Sequence, residues 1–291
     1  MPIDLQAAEQ FIFANARLLE RHRLAALLHG VSAAPVLDAL RAYRNPDGGF
    51  GHALEPDARA PGSEPVATHR ALEVLLAHDL TEDPMIAVAA AWVASIAEPD
   101  GGIPFVLATA EGYPRAPWMV PSPGGSHLTF AFAGAFLQAG INAGPWLERA
   151  TEWCWAKLDD SEALTGYWVK FGLSFIDSVP DESRAERCLE SLRPRLSPDG
   201  SLPVPGGTGE ERLMPLALSP HPSRRSRTLF SAEQIEADLD RLAGGQDEDG
   251  GWTFDWLAWS PGQAVEWRGI VTLDSLETLA AHGRIKSASE T

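Results

Sequence analysis

The sequence predicts an all-α protein built from repeated antiparallel helical hairpins. Three observations carry this: a turn motif recurring about every fifty residues, apolar residues at helical spacing before each turn, and a threonine at the start of the helix after it. The turns are Asn45-Pro-Asp-Gly-Gly-Phe50, Glu98-Pro-Asp-Gly-Gly-Ile103, Ser197-Pro-Asp-Gly-Ser-Leu202 and Asp247-Glu-Asp-Gly-Gly-Trp252. Their aspartates are spaced by 53, 99 and 50 residues, so the middle interval spans two periods and one repeat is degenerate. Proline disfavours helix in the residue before it, aspartate caps a turn, and glycine accepts positive φ, so each copy ends a helix.

The segments ahead of the turns agree. Val36, Leu37 and Leu40, then Ile86, Ala90 and Val93, then Ala185, Cys188 and Leu192, then Ile235, Leu239 and Leu242 fall on helical faces. The last begins with Ser231-Ala-Glu-Gln234, a capping box. The recurring threonines are Thr68, Thr129, Thr165 and Thr272; eleven residues on stand Asp79, Gly140, Ile176 and Gly283, two of them the glycine expected past a helix end. Helices are expected near 4–28, 34–44, 63–79, 83–97, 126–140, 144–158, 162–178, 181–193, 231–244 and 265–282, with no strand. Short connections such as Asp159-Asp160-Ser161 imply antiparallel neighbours. Nothing linker-like divides residues 1–291, which points to a single domain, stacked as an open solenoid or closed into a ring. The connections 103–125 and 200–230 are too long for plain turns and are the first places to look for function.

Composition narrows the function. With 45% apolar residues the chain has ample material for a core, and 23 basic against 40 acidic side chains give a net charge of −17, which disfavours nucleic acid and anionic membrane. No apolar run approaches the ~20 residues of a membrane-spanning helix, and no signal segment opens the chain, so a cytoplasmic protein is expected. Cys154 and Cys188 fall in helical segments and are expected as small buried hydrophobes.

Gln246-Asp-Glu-Asp-Gly-Gly-Trp252 resembles the tryptophan-glutamine repeat of the squalene and hopene cyclases, and the other turns degrade from it at the expected period. The resemblance implies an α/α toroid of about five to six hairpins, shared by terpenoid cyclases and protein prenyltransferase β subunits. Its central cavity would hold an apolar or isoprenoid chain. By the same resemblance Gln246 and Trp252 tie neighbouring helices together. Arg44, Ala97 and Leu196 replace the glutamine in the other copies, and Arg241 stands where the family has an aromatic residue. The family's catalytic Asp-X-Asp-Asp is absent; Asp238-Leu-Asp240 runs into Arg241 and is expected on a solvated helix face. The prenyltransferase zinc signature, Asp-X-Cys with a distant histidine, is also missing, so neither metal nor other cofactor is expected.

Candidate chemistry lies in the stretches after the turns. His52, Glu55, Asp57 and Arg59 crowd the loop before the third expected helix. Either they are an acid with a raised pKa (Asp57 or Glu55), a partner (His52) and an anion clamp (Arg59), or they are salt bridges and caps holding repeats together. Asp255 between Phe254 and Trp256 would be a desolvated acid if it points inward. Trp256, Trp259 and Trp267 offer faces for a cation, or simply fill the core with Glu266 and Arg268 paired beside them. Trp118, in the long second loop, would close over a ligand or anchor the loop. Arg224, Arg225 and Arg227 suit a diphosphate or a solvated charge run, and His127 suits an acid or a donor to a backbone oxygen. Three function classes follow: an isoprenoid cyclase or prenyltransferase, a non-catalytic ligand- or protein-binding ring, and a carbohydrate-active α/α barrel with Asp57 and Asp255 flanking a sugar.

Overall fold

The computed structural model describes residues 3–160, 164–209 and 211–288. Its helices are α1 (Leu5–Asn15), α2 (Leu18–His29), α3 (Ala34–Arg41), α4 (Pro65–Ala77), α5 (Pro84–Ile96), α6 (Leu128–Gln138), α7 (Pro145–Asp159), α8 (Tyr167–Ser178), α9 (Glu182–Leu192), α10 (Pro215–Leu218), α11 (Ala232–Gly244) and α12 (Pro261–Ala281). The chain is all-α. One departure is an antiparallel ribbon of two-residue strands, β1 (Leu202–Pro203) and β2 (Arg212–Leu213), with Leu202 opposite Leu213. Two residues are too few to show the alternation that marks a strand, so the expectation of no strand is corrected here.

The expected helix 4–28 is two helices. It breaks where Ala16 turns extended (ψ 162°), and α12 passes so close that a side chain on Gly269 would stand 2.8 Å from Ala16 Cβ. Neither proline nor glycine marks that break. The helix expected from 162 starts at Tyr167; 162 and 163 lie outside the described residues, as does Ser161 of the short connection before it, and 164–166 are not helical.

Residues 1–42 with 197–291 form one compact unit, and 43–196 another. In the first, α12 packs against α1, α2 and α11, α2 also packs against α3, and α10 sits on α11. Its core includes Phe11, Ile12, Leu24, Leu239, Ile270 and Leu273. In the second, α4, α6 and α8 lie side by side, and α5, α7 and α9 pack behind them in turn. The middle helix α6 is buried from Leu128 through Phe136, as a helix apolar on every side must be.

All four repeated turns adopt one hydrogen-bonded form. Asp47, Asp100, Asp199 and Asp249 each accept through Oδ1 the N–H two residues on, at 2.9–3.1 Å. The glycine between has φ of 82–96°, a conformation that side-chain-bearing residues rarely take. The turns also dock. A Cβ on Gly250 would stand 2.3 Å from the Ala7 carbonyl oxygen of α1, and one on Gly101 2.7 Å from the Ala150 nitrogen of α7.

The recurring threonines now have a cause. Thr68, Thr129 and Thr272 are buried, and their hydroxyls accept the N–H of Phe50, Ile103 and Trp252, the residue after each Asp-Gly-Gly, at 2.8–2.9 Å. Each threonine thereby sews a turn to the helix that follows it. Their helices end with Asp79, Gly140 and Gly283 in the left-handed region. Thr165 precedes α8 and Ile176 lies inside that helix, so the fourth repeat departs from the pattern.

Gln246 and Trp252 tie as the resemblance implies. The Gln246 amide donates to the carbonyls of Asp4 and Gly250, and the Trp252 indole donates to the Leu242 carbonyl at 2.7 Å. Asp238 corrects an expectation: it is buried rather than solvated, accepting the Leu216 N–H at 2.8 Å and pairing with Arg241, which pins α10 to α11. A helical wheel of α11 alone could not reveal α10 covering that face.

Candidate functional site

The richest collection of polar chemistry lies in the 43–196 unit, across α4, α6 and α8. Helix α4 starts cleanly because Pro65 occupies its first turn behind an extended Glu64. The Glu64 carboxylate reaches out to accept the Leu107 N–H at 3.0 Å and the Thr109 hydroxyl at 3.1 Å, fastening the 103–125 connection to the helix. Burial pushes the Glu64 carboxyl up, against those two hydrogen bonds. One turn on, helical spacing puts His69 and Glu73 on one face, with Arg70 beside them.

Arg70 Nη1 donates to Glu73 Oε2 at 3.1 Å, and His69 Nδ1 lies 3.9 Å from Glu73 Oε1. The Glu73 side chain is 43% exposed although His69 and Arg70 are nearly covered, so its carboxylate reaches solvent. Burial works to raise the Glu73 pKa, but the His69 charge once that ring is protonated, the Arg70 and Lys170 charges and the Arg70 hydrogen bond outweigh it and hold the group at about 2. Glu73 is therefore an anion at neutral pH.

Aromatic rings continue from His69. Its imidazole meets Phe132 edge-on at 5.9 Å and Phe171 at 5.3 Å; Phe171 stacks on His127 at 5.2 Å, and His127 packs on Phe105 at 4.9 Å. Tyr167 and Trp168 flank His127 at 6.4 and 5.8 Å, and Lys170 Nζ stands over Tyr167 and Phe171 at 5.8 and 5.9 Å. Burial lowers the His127 pKa to about 3, helped by His69 and Lys170. Burial also lowers His69, where the Glu73 charge opposes and Arg70 and Lys170 assist. Both imidazoles are neutral near pH 7. The arrangement therefore offers ring faces for an apolar chain or a carbocation, two imidazoles held neutral by burial, a fixed carboxylate and an ammonium.

No known protein family and no curated protein matches the sequence. Among solved structures, the chain is similar to a protein from Actinoplanes, at TM-score 0.58 and 15% identity over 96% of this chain and 98% of that one. It is also similar to the type II terpene cyclase MstE from Scytonema, without ligand, at TM-score 0.54 and 15% identity over 96% and 98%. A variant of MstE in complex with geranylgeranyl dihydroxybenzoate, its substrate, aligns at TM-score 0.56 and 14% identity over 96% of each chain. The fold is that of the terpenoid cyclases.

On this terpenoid-cyclase α/α-toroid fold, the residues singled out from the sequence fall in two places. In the 43–196 unit, Asp57 and Glu55 are buried, whereas His52 is exposed, left-handed at φ 55°, and hydrogen-bonded to the Asn45 side chain at 3.0 Å. The Arg59 N–H donates to the Pro114 carbonyl, and the Ala116 N–H donates to the Asp57 carbonyl, so the loop ahead of α4 and the 103–125 connection pair through their backbones. Trp118, on the second of these loops, is 38% exposed.

In the other unit, Phe254 stacks on Trp256 at 4.6 Å, and Trp256 meets Trp267 edge-on at 5.0 Å, so the tryptophan stretch does gather. Trp259 and Glu266 are partly buried there. Asp255 is exposed, which removes the desolvation that made it attractive as an acid. Arg268 grips Asp249 at 2.7 and 2.8 Å and Asp247 at 3.0 Å and lies over the Phe11 ring, which braces the last repeated turn.

His69, Arg70, Glu73 and Lys170 escaped the sequence analysis. The i, i+4 pair His69/Glu73 on an otherwise apolar helix was the available signal for the first three, and nothing local marks Lys170 as their neighbour. Among the described residues, no helix is long and apolar enough to cross a membrane.

Proposed function

We propose that the chain handles an isoprenoid ligand, with its apolar chain laid on the α4/α6/α8 rings of the 43–196 unit. The observation that carries this is the continuous ring path Phe105, His127, Phe171 and His69, which ends beside the Arg70–Glu73 pair and is backed by the buried Phe132. Ring faces attract a cation by about 0.5–2 kcal/mol each, the property needed to shelter an allylic or tertiary carbocation. The solved cyclase of the same fold is bound to a geranylgeranyl-bearing substrate, which supports a prenyl chain as the ligand class. Glu73 does not serve as proton donor, because it is ionised. Asp57, buried in the loop ahead of α4, is the acid assigned to an enzymatic step.

The test is a titration with geranylgeraniol followed by tryptophan fluorescence, since Trp153 and Trp168 stack next to the rings. Saturable binding weakened at least tenfold in Phe171→Ala is expected. Absence of a saturable change, or a Phe171→Ala protein that binds as well as the parent, overturns the assignment.

A further inference from the structure

We propose that the cleft between the end of α7 and one face of α9 is a ligand site, separate from the α4/α6/α8 rings, and that it takes a small monocarboxylate with an apolar body. The isoprenoid assignment neither supports nor requires it.

Helical spacing gathers the lining. Arg187, Cys188 and Ser191 follow Arg184 by three, four and seven residues and so share a face of α9, while Leu158 and Asp159 close the cleft from α7. The space is about 210 Å³, below the roughly 300–1,000 Å³ of pockets for drug-sized molecules, so its occupant is small.

The two cations of the lining differ. Arg184 is committed: Nη2 donates to Asp159 Oδ2 at 2.8 Å, and the guanidinium lies over the Trp155 ring at 4.4 Å. Asp181, the other acid nearby, caps α9 by accepting the Arg184 N–H. The Arg187 side chain makes no hydrogen bond or ion pair among the described residues. Asp159 answers Arg184, so one positive charge is left over, in a chain whose net charge is −17. One charge suits a single carboxylate rather than a phosphate dianion, and the planar guanidinium matches a carboxylate through two parallel N–H donors.

Beneath Arg187 the cleft is apolar. Leu158 is 2% and Cys188 6% exposed. Burial pushes the Cys188 thiol up, with Asp159 and Asp181 assisting against the two arginines, so the sulfur is uncharged at neutral pH and packs as a small hydrophobe. The Ser191 hydroxyl donates to the Cys188 carbonyl at 2.8 Å, which leaves Arg187 as the donor for the head group and Leu158 and Cys188 as the bed for the body.

Protein-observed NMR titrations that follow the Trp155 indole, beneath Arg184, test this with hexanoate, hexanol and inorganic phosphate on the parent protein, Arg187→Gln and Ser191→Trp. Arg187 and Ser191 are exposed, so both variants keep the core, which an unchanged Tm checks. Hexanoate is expected to bind about fivefold or more tightly than hexanol or phosphate, and added salt to reduce that preference. Arg187→Gln should remove the preference without changing hexanol binding, and Ser191→Trp, which fills the cleft, should exclude hexanoate. Absence of saturable hexanoate binding, phosphate or hexanol binding as tightly as hexanoate, or either variant keeping the parent's hexanoate affinity overturns the proposal.

Discussion

Gln246 and Asp4 exchange hydrogen bonds across 242 residues: the Asp4 N–H donates to Gln246 Oε1, and Gln246 Nε2 donates to the Asp4 carbonyl, each at 2.9 Å. The last repeated turn is thereby buttoned to the start of α1, while Gly250 in the same turn rests on Ala7. A glutamine far along the chain caps the first helix's entry, so the motif acts between repeats rather than within one.

Gly250→Ala is therefore expected to lose about 2–4 kcal/mol, combining a disfavoured positive φ with overpacking against the Ala7 carbonyl. Gln246→Ala removes exposed hydrogen bonds and should lose only about 1–2 kcal/mol. Urea denaturation checks both, with Gly112→Ala, where an added Cβ meets nothing, as the control. Equal midpoints for Gly250→Ala and Gly112→Ala would show that the turn does not dock as described.

Arg23 of α2 is 3% exposed and held by both oxygens of Glu277 at 3.0 Å, with Asp274 at 3.7 Å. Glu277→Gln strands most of a buried guanidinium charge, and a loss near the low end of about 3–5 kcal/mol is expected because Asp274 remains. Adding Arg23→Met should recover much of that loss. A double variant no more stable than the single one would contradict the pairing.

The neutral histidines set a pH dependence. His127 binds a proton at about 3 in the native state against an ordinary 6.5, and His69 is displaced in the same direction. Between those values the unfolded chain takes up protons that the folded one refuses. Their contribution is complete above pH 6.5 and is lost as pH falls, at no more than about 1.4 kcal/mol per pH unit for each group. His127→Phe, which keeps a ring between Phe105 and Phe171, should flatten the decline in stability from pH 7 to 5. An unchanged slope would mean that His127 is protonated in the folded protein.

The helical array was legible in the sequence because each repeat states its own turn: Asp-Gly-Gly fixes the stop, and the threonine eighteen to twenty-six residues on receives the N–H that follows it. Breaks caused by packing were not. The α1/α2 junction at Ala16 depends on Gly269, and the burial of Asp238 depends on α10, both distant in sequence. The candidate site was the least legible part. Loop acids such as Asp57 drew attention because they cluster locally, whereas Glu73 and Lys170 meet only when α4 and α8 lie on either side of α6.

Asp57→Asn tests the acid assigned from the loop. The variant is expected to bind geranylgeraniol like the parent and to lose at least a hundredfold in turnover of prenyl substrates, judged by mass spectrometry of products. Turnover equal to the parent's would remove Asp57 from the chemistry.

The most direct measurement is photo-crosslinking with a geranylgeranyl chain that carries a diazirine, followed by peptide mapping. Label on the segments holding His69, His127 and Phe171, and its loss on competition with unmodified geranylgeraniol, is the predicted result. Label confined to the Phe254–Trp267 segment, or spread without competition, would contradict an isoprenoid site on α4, α6 and α8.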